Sequence, residues 1–327
     1  MRKLIVMFMM LIAFAGSTFA AGKEKVRVGY WTSGISLGYG AVLEETRILE
    51  KNGVDVEYVR FPDLLAQIQA LSTGDIDVAY AAPMTAVFGA INDGVPIKII
   101  AATQLADAVV VAPANSPVKT WSDLKGKKVG ASKPNAATTV IAATIADQVY
   151  GVKSSDYSII SGNEGRLAQF LAQDQIDAAV IRTFTYDQIG KKLNLRKLGE
   201  LPNEWKAVSG NNVPPYLAVG IARADYLKQH PDVVAKVVKS WINLDKWGSA
   251  HKQEVIDIVT RRAGMTPENA GIYVNRWENA YRVSLDNKVL KTLKSEHDAF
   301  ARIGLVKGRF TKDIYDQEPY LKAAGKK

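Results

Sequence analysis

Ala70-Leu71-Ser72-Thr73-Gly74-Asp75-Ile76-Asp77-Val78-Ala79 is followed, at a constant offset, by Phe170-Leu171-Ala172-Gln173-Asp174-Gln175-Ile176-Asp177-Ala178-Ala179. Each copy is the end of an apolar helical face, a polar turn, and an Ile-Asp step into an apolar run. The elements around each copy also repeat. Before the first, Val26-Arg27-Val28-Gly29-Tyr30 reads as a strand and residues 31–40 as a Gly-rich loop. A helix is predicted from about Ala41 to Lys51, closed by Asn52-Gly53, and then an alternating strand, residues 54–59. Asp63 caps the next helix, with Leu64, Leu65, Ile68 and Leu71 on one face. Before the second copy come a strand at Lys128-Val129-Gly130-Ala131, a polar loop, a helix ending at Gly151 and a strand at Tyr157-Ser158-Ile159-Ile160. Strands alternating with helices imply parallel α/β sheets with right-handed crossovers. Two such units imply two similar lobes. Asp75, Asp77 and Asp177 invite reading as a carboxylate cluster, but their place at strand entry favours a turn role. Beyond Gly220 the chain reads as mostly helical, with stretches near 231–241, 252–262, 267–282 and 288–302.

The 327 residues are 47% hydrophobic and 23% charged, which excludes wholesale disorder. The absence of cysteine excludes disulfide scaffolds, thiol nucleophiles, iron–sulfur clusters and cysteine zinc sites. His230, His251 and His297 are the only histidines and stand at no metal-ligand spacing. No P-loop, dinucleotide fingerprint or Gly-x-Ser-x-Gly elbow is present. No metal, cofactor or catalysis is therefore expected. The net charge of +9 suits nucleic acid, a membrane surface or a small anion. Arg2 and Lys3, an apolar run over residues 4–14, and Thr18-Phe19-Ala20 compose an export signal with cleavage expected after Ala20. Loss of Arg2 and Lys3 leaves +7. No later run reaches the length of a membrane span. Export argues against a nucleic-acid partner and for a soluble protein of the bacterial periplasm.

Residues 26–34, Asn52-Gly53-Val54-Asp55-Val56, the first copy of the repeat and Gly94-Val95-Pro96-Ile97-Lys98 carry a family resemblance. So do Asp123-Leu124-Lys125-Gly126-Lys127-Lys128-Val129-Gly130 and Tyr226-Leu227-Lys228-Gln229-His230-Pro231-Asp232-Val233-Val234. Together the chain resembles the extracytoplasmic solute-binding proteins of ABC importers, in the group that binds sulfonates, taurine, nitrate and thiamine precursors. The resemblance implies a two-lobed type II periplasmic-binding-protein fold, each lobe a mostly parallel sheet flanked by helices. It implies a signal peptide (1–20), a first lobe in two parts (21–105 and 217–327) and an inserted second lobe (106–216). Crossings are expected near 105–110 and 212–217, with the lobes closing on solute between them. It also implies a monomer that serves an inner-membrane permease and its ATPase.

In open parallel sheets, ligands sit at the carboxyl ends of strands, where helix N-termini favour anions. The candidates after the first strand are Trp31, Ser33, Gly34 and Ser36, and after the third Ala82, Pro83 and Thr85. In the second lobe they are Asn135, Thr138 and Thr139, then Arg182 and Phe184. Trp31, Tyr39 and Tyr216 are candidate walls, and Asp107, at the first crossing, a candidate partner for a ligand amine. Many taurine-related members carry Trp and Pro where Arg182-Thr183-Phe184 stands here, which puts taurine itself in doubt. The expected function is capture of a small anionic solute of the sulfonate, taurine or nitrate kind. A thiamine-precursor-like heterocycle, or ligand sensing through a receptor, remains open. The fold is also shared with a pyrimidine-synthesising enzyme that uses a cysteine-rich motif, which this chain lacks.

Overall fold

The structure, a computed structural model, describes residues 25–32 and 35–326. The expected export segment, Ser33 and Gly34 lie outside the described residues. The first unit holds β1 (Val26–Trp31), α1 (Ile35–Thr46), α2 (Ile48–Lys51), β2 (Val56–Phe61), α3 (Leu64–Thr73), β3 (Val78–Pro83), α4 (Met84–Asn92) and β4 (Ile97–Leu105). The second holds β5 (Ala108–Pro113), β6 (Lys128–Ala131), α5 (Ala137–Tyr150), β7 (Ser158–Ser161), α6 (Glu164–Ala172), β8 (Ala178–Arg182), α7 (Thr183–Ile189), β9 (Leu195–Glu200) and α8 (Leu201–Ser209). The chain returns through β10 (Tyr216–Arg223), α9 (Ala224–Gln229), α10 (Pro231–Ala250), α11 (Lys252–Ala263) and α12 (Pro267–Asn275). It ends with α13 (Trp277–Ala280), β11 (Tyr281–Ser284), α14 (Asn287–Arg302) and α15 (Glu318–Ala323). Among the described residues no helix is long and apolar enough to cross a membrane.

Two sheets form, ordered β11-β4-β10-β3-β1-β2 and β7-β6-β8-β5-β9. The sequence repeat is a structural repeat down to single hydrogen bonds. Gly74 and Asp174 both take a left-handed φ, +80° and +52°. Asp75 N donates to Ala70 O at 2.8 Å, and Gln175 N to Phe170 O at 2.9 Å. Asp77 accepts from the backbone N of Arg27 at 2.9 Å, and Asp177 from that of Lys128 at 2.7 Å. These two aspartates tie each third strand to the start of the first, as their position at strand entry predicts. Asp77 also holds the guanidinium of Arg27 and lies 3.6 Å from that of Arg223.

Two expectations are corrected. The sheets are mixed rather than mostly parallel. The trios β2-β1-β3 and β7-β6-β8 are parallel, but β10 and β5 join them antiparallel. β5 follows β4 of the other sheet through a two-residue crossing, and β10 follows α8 of the second unit through residues 210–215, so neither is set beside its neighbour by a helical crossover within one sheet. Next, α1 begins at Ile35, inside the stretch read as a Gly-rich loop. Its glycines serve close packing: a β-carbon on Gly40 would collide with Tyr30, and one on Gly38 would lie 2.7 Å from Tyr273. Beyond Gly220 the chain is mostly helical, as expected, with two strands beside the helices. β10 is buried between β3 and β4, and Tyr281–Ser284 forms the edge strand β11.

The outward crossing is Ala106-Asp107 and the return crossing lies at 210–215. They are joined where Ala106 N donates to Pro215 O at 2.8 Å. Helix α14 clamps the return crossing: Lys291 Nζ reaches Gly210 O at 3.2 Å, and Glu296 Oε1 accepts from Tyr216 N at 2.7 Å. One apolar core lies against the first sheet and two smaller cores flank the second.

Candidate ligand cleft

Asp107 is the second residue of the crossing and directly precedes β5, so its position is fixed by the crossing itself. Its carboxylate, buried at 7% exposure, receives Arg276 Nε at 2.9 Å and also Arg276 Nη2. Its carbonyl accepts from Thr183 N at 3.0 Å, binding the crossing to the first turn of α7. Arg182 ends β8 and caps α7, with Pro-like extended backbone (φ −62°, ψ 145°). The Arg182 N–H is taken by Glu164, while its Nη1 is buried and has no hydrogen-bond partner among the described residues. A buried donor of this kind is costly unless something accepts from it.

Ile35, Asp107, Arg182, Phe184, Tyr273, Arg276 and Ala280 line one nearly closed cleft, with a cavity volume of about 10 Å³. Ile35 places the start of α1 here. Its carbonyl is pinned by the hydroxyls of Tyr281, at 2.7 Å, and Tyr273, at 3.3 Å. Burial works against the charge of Arg276, but the hydrogen bonds and charge of Asp107 outweigh it and hold the guanidinium above its ordinary value. Asp187, 3.8 Å from Arg276 Nε, is pushed up by burial and only partly restored by Arg276 and Lys197.

The sequence candidates divide. Asp107, Arg182 and Phe184 are brought together, from three different elements. Trp31, Pro83, Thr85 and Thr138 are half-buried at the other strand ends and Asn135 is exposed, so none of these five lines this cleft. Thr139 is buried in the first turn of α5 with its hydroxyl unpartnered. Ser36 is buried and its hydroxyl accepts from Gln104 Nε2 at 2.7 Å. Three candidates are corrected. Ala82, Tyr39 and Tyr216 are each 0% exposed and belong to the core of the first sheet, so none walls the cleft. Tyr39 stacks on Tyr80 at 4.2 Å and donates to Asp245 at 3.1 Å. Arg276, Tyr273 and Ala280 were missed. They sit in a C-terminal stretch whose periodicity announces only packing. The available signal was a lone Arg between Asn275 and Trp277, where α12 breaks into α13.

The profile of the family described as "ABC transporter, phosphonate, periplasmic substrate-binding protein" matches residues 44–253. The chain belongs to this family of periplasmic substrate-binding proteins. Among its relatives is a Brucella abortus (strain 2308) protein named only as a binding protein, 24% identical over 321 residues, 96% of this chain and 97% of the other. The taurine-binding periplasmic protein of Escherichia coli (strain K12) is 24% identical over 237 residues, 72% of this chain and 69% of the other. The crystal structure of the periplasmic aliphatic sulphonate binding protein SsuA from Escherichia coli superposes with a TM-score of 0.75. It is 19% identical and covers 90% of this chain and 92% of its own. The binding protein also shares its fold with the desulfurization enzyme DSZB, TM-score 0.64 at 12% identity, over 92% of this chain and 99% of that one.

Proposed function

We propose that this binding protein captures a small organic oxyanion of the sulfonate class in the cleft between its two sheets. It then hands the solute to an ABC permease. The observation that carries this reading is Arg182 Nη1, a buried guanidinium donor without an acceptor among the described residues, beside a second guanidinium and the start of α1. The sulfonate and taurine ligands in the relatives' names favour the same chemistry. In this reading 21–105 with 217–327, and 106–216, are the two lobes. The chain works as a monomer, after cleavage of residues 1–20 in the periplasm. Phe184 supplies an apolar wall for the alkyl part. Thr139 offers a hydroxyl from α5 should solute extend that far.

Titration calorimetry of the mature chain against alkanesulfonates, taurine and nitrate tests this. A sulfonate is expected to bind, and Arg182→Ala to weaken it by roughly 1.5–3 kcal/mol, the scale of a charge-assisted hydrogen bond. Unchanged affinity in Arg182→Ala, or no binding of any oxyanion, would overturn the assignment.

A further inference from the structure

The cleft holds two guanidinium groups, but they are not equivalent. Asp107 receives Arg276 through two hydrogen bonds. Arg182 keeps a buried donor unsatisfied. The other charges facing this site are Asp187 on α7, Glu164 on α6, and Lys197 and Glu200 on β9. Lys197 and Glu200 pair with each other at 2.6 Å. Glu164 accepts from the Arg182 backbone. With Lys197 paired to Glu200 and Arg276 to Asp107, Arg182 is the remaining cation among the described residues of the cleft; Asp187 stands 3.8 Å from Arg276, and Glu164 holds the Arg182 backbone. A first negative charge on a solute meets Arg182. A second would face Asp107, Asp187 and Glu164 in a poorly solvated space, where repulsion is strong.

We propose that Asp107 is a specificity residue: by occupying Arg276 it limits the cleft to singly charged headgroups and rejects dianions. The proposal rests on the oxyanion reading above. A sulfonate stays singly charged at every relevant pH. A phosphate monoester loses a second proton at about pH 6. Ethanesulfonate and methyl phosphate, probes of equal size, therefore differ in headgroup charge at high pH.

Calorimetry on the mature chain at about pH 8 and about pH 5.5, either side of that second ionisation, decides the matter. At the higher pH ethanesulfonate should bind about tenfold or more tightly than methyl phosphate, and the gap should shrink at the lower pH. Ethanesulfonate at both pH values corrects for titration of Asp187. Asp107→Asn should raise methyl phosphate affinity relative to ethanesulfonate by about tenfold at the higher pH. If that variant does not fold, the wild-type pH comparison stands alone. Binding of both probes with a ratio that neither pH nor Asp107→Asn alters overturns the role of Asp107 and leaves the oxyanion reading intact. Binding of neither overturns both.

Discussion

Asp245 shows what a carboxyl does among aromatic rings. It accepts from Tyr39 OH at 3.1 Å and from Val283 N at 2.7 Å, and Trp277 Nε1 donates to its carbonyl at 2.9 Å. Desolvation pushes it up to about 7, against those bonds and the charge of Arg282. Unfolded, it titrates near 3.8. Between these values the folded state binds the extra proton. Its contribution to stability therefore falls as pH rises from about 4 to about 7 and is level above. Glu296, raised by burial, acts with the same sign. Asp245→Asn should flatten urea-unfolding stability between about pH 4.5 and 7.5 relative to wild type, by at most about 4 kcal/mol. Parallel curves for the two proteins would refute this. The burial of Asp245 was half-legible, since it follows Trp241 by four residues on the apolar face of α10. Its partner Val283 was not, because a four-residue edge strand leaves no periodic trace. Likewise Arg182 and Asp107 were readable from strand ends and the crossing. Arg276 reaches the same cleft from far along the chain, and no local pattern encodes that distance.

At the scale of elements, the repeat was legible because its physics is local. A β-carbon on Gly29 would sit 2.6 Å from Ile76 Cδ1, and one on Gly130 would collide with the same atom of Ile176. Each first strand thus lacks a side chain where the isoleucine of the Ile-Asp step packs. Gly130→Ala should cost about 1–3 kcal/mol through overpacking. Adding Ile176→Val, which removes the colliding methyl, should recover part of that loss. The check is a double-mutant cycle by chemical denaturation, and strictly additive effects would contradict the packing account. Glycines in α1 misled the reading for the converse reason. Gly38 and Gly40 make room for Tyr273 and Tyr30, contacts that involve residues outside the helix.

At the scale of the molecule, α7 and α12 meet across the cleft. Gln188 Nε2 donates to Asn269 Oδ1 at 2.7 Å, Phe184 packs edge-on against Tyr273 at 6.5 Å, and Arg276 reaches Asp107 and Asp187. Solution scattering should show a larger radius of gyration for ligand-free Gln188→Ala/Arg276→Ala than for wild type; equal radii would mean these contacts do not hold the cleft shut. Two sheets and two crossings were legible from the repeat and the resemblance. The insertion of β10 into the middle of the first sheet was not, because strand order is decided by pairing between distant segments. That insertion bears on biosynthesis. In the order β11-β4-β10, both neighbours of β4 come from the last third of the chain. A nascent chain that has just delivered α8 holds every strand of the five-stranded sheet. Its Ile97–Leu105 segment, nine residues with eight buried in the finished protein, still has no strand to pair with. The later-numbered sheet can be completed first, and the earlier one must wait with an apolar strand uncovered.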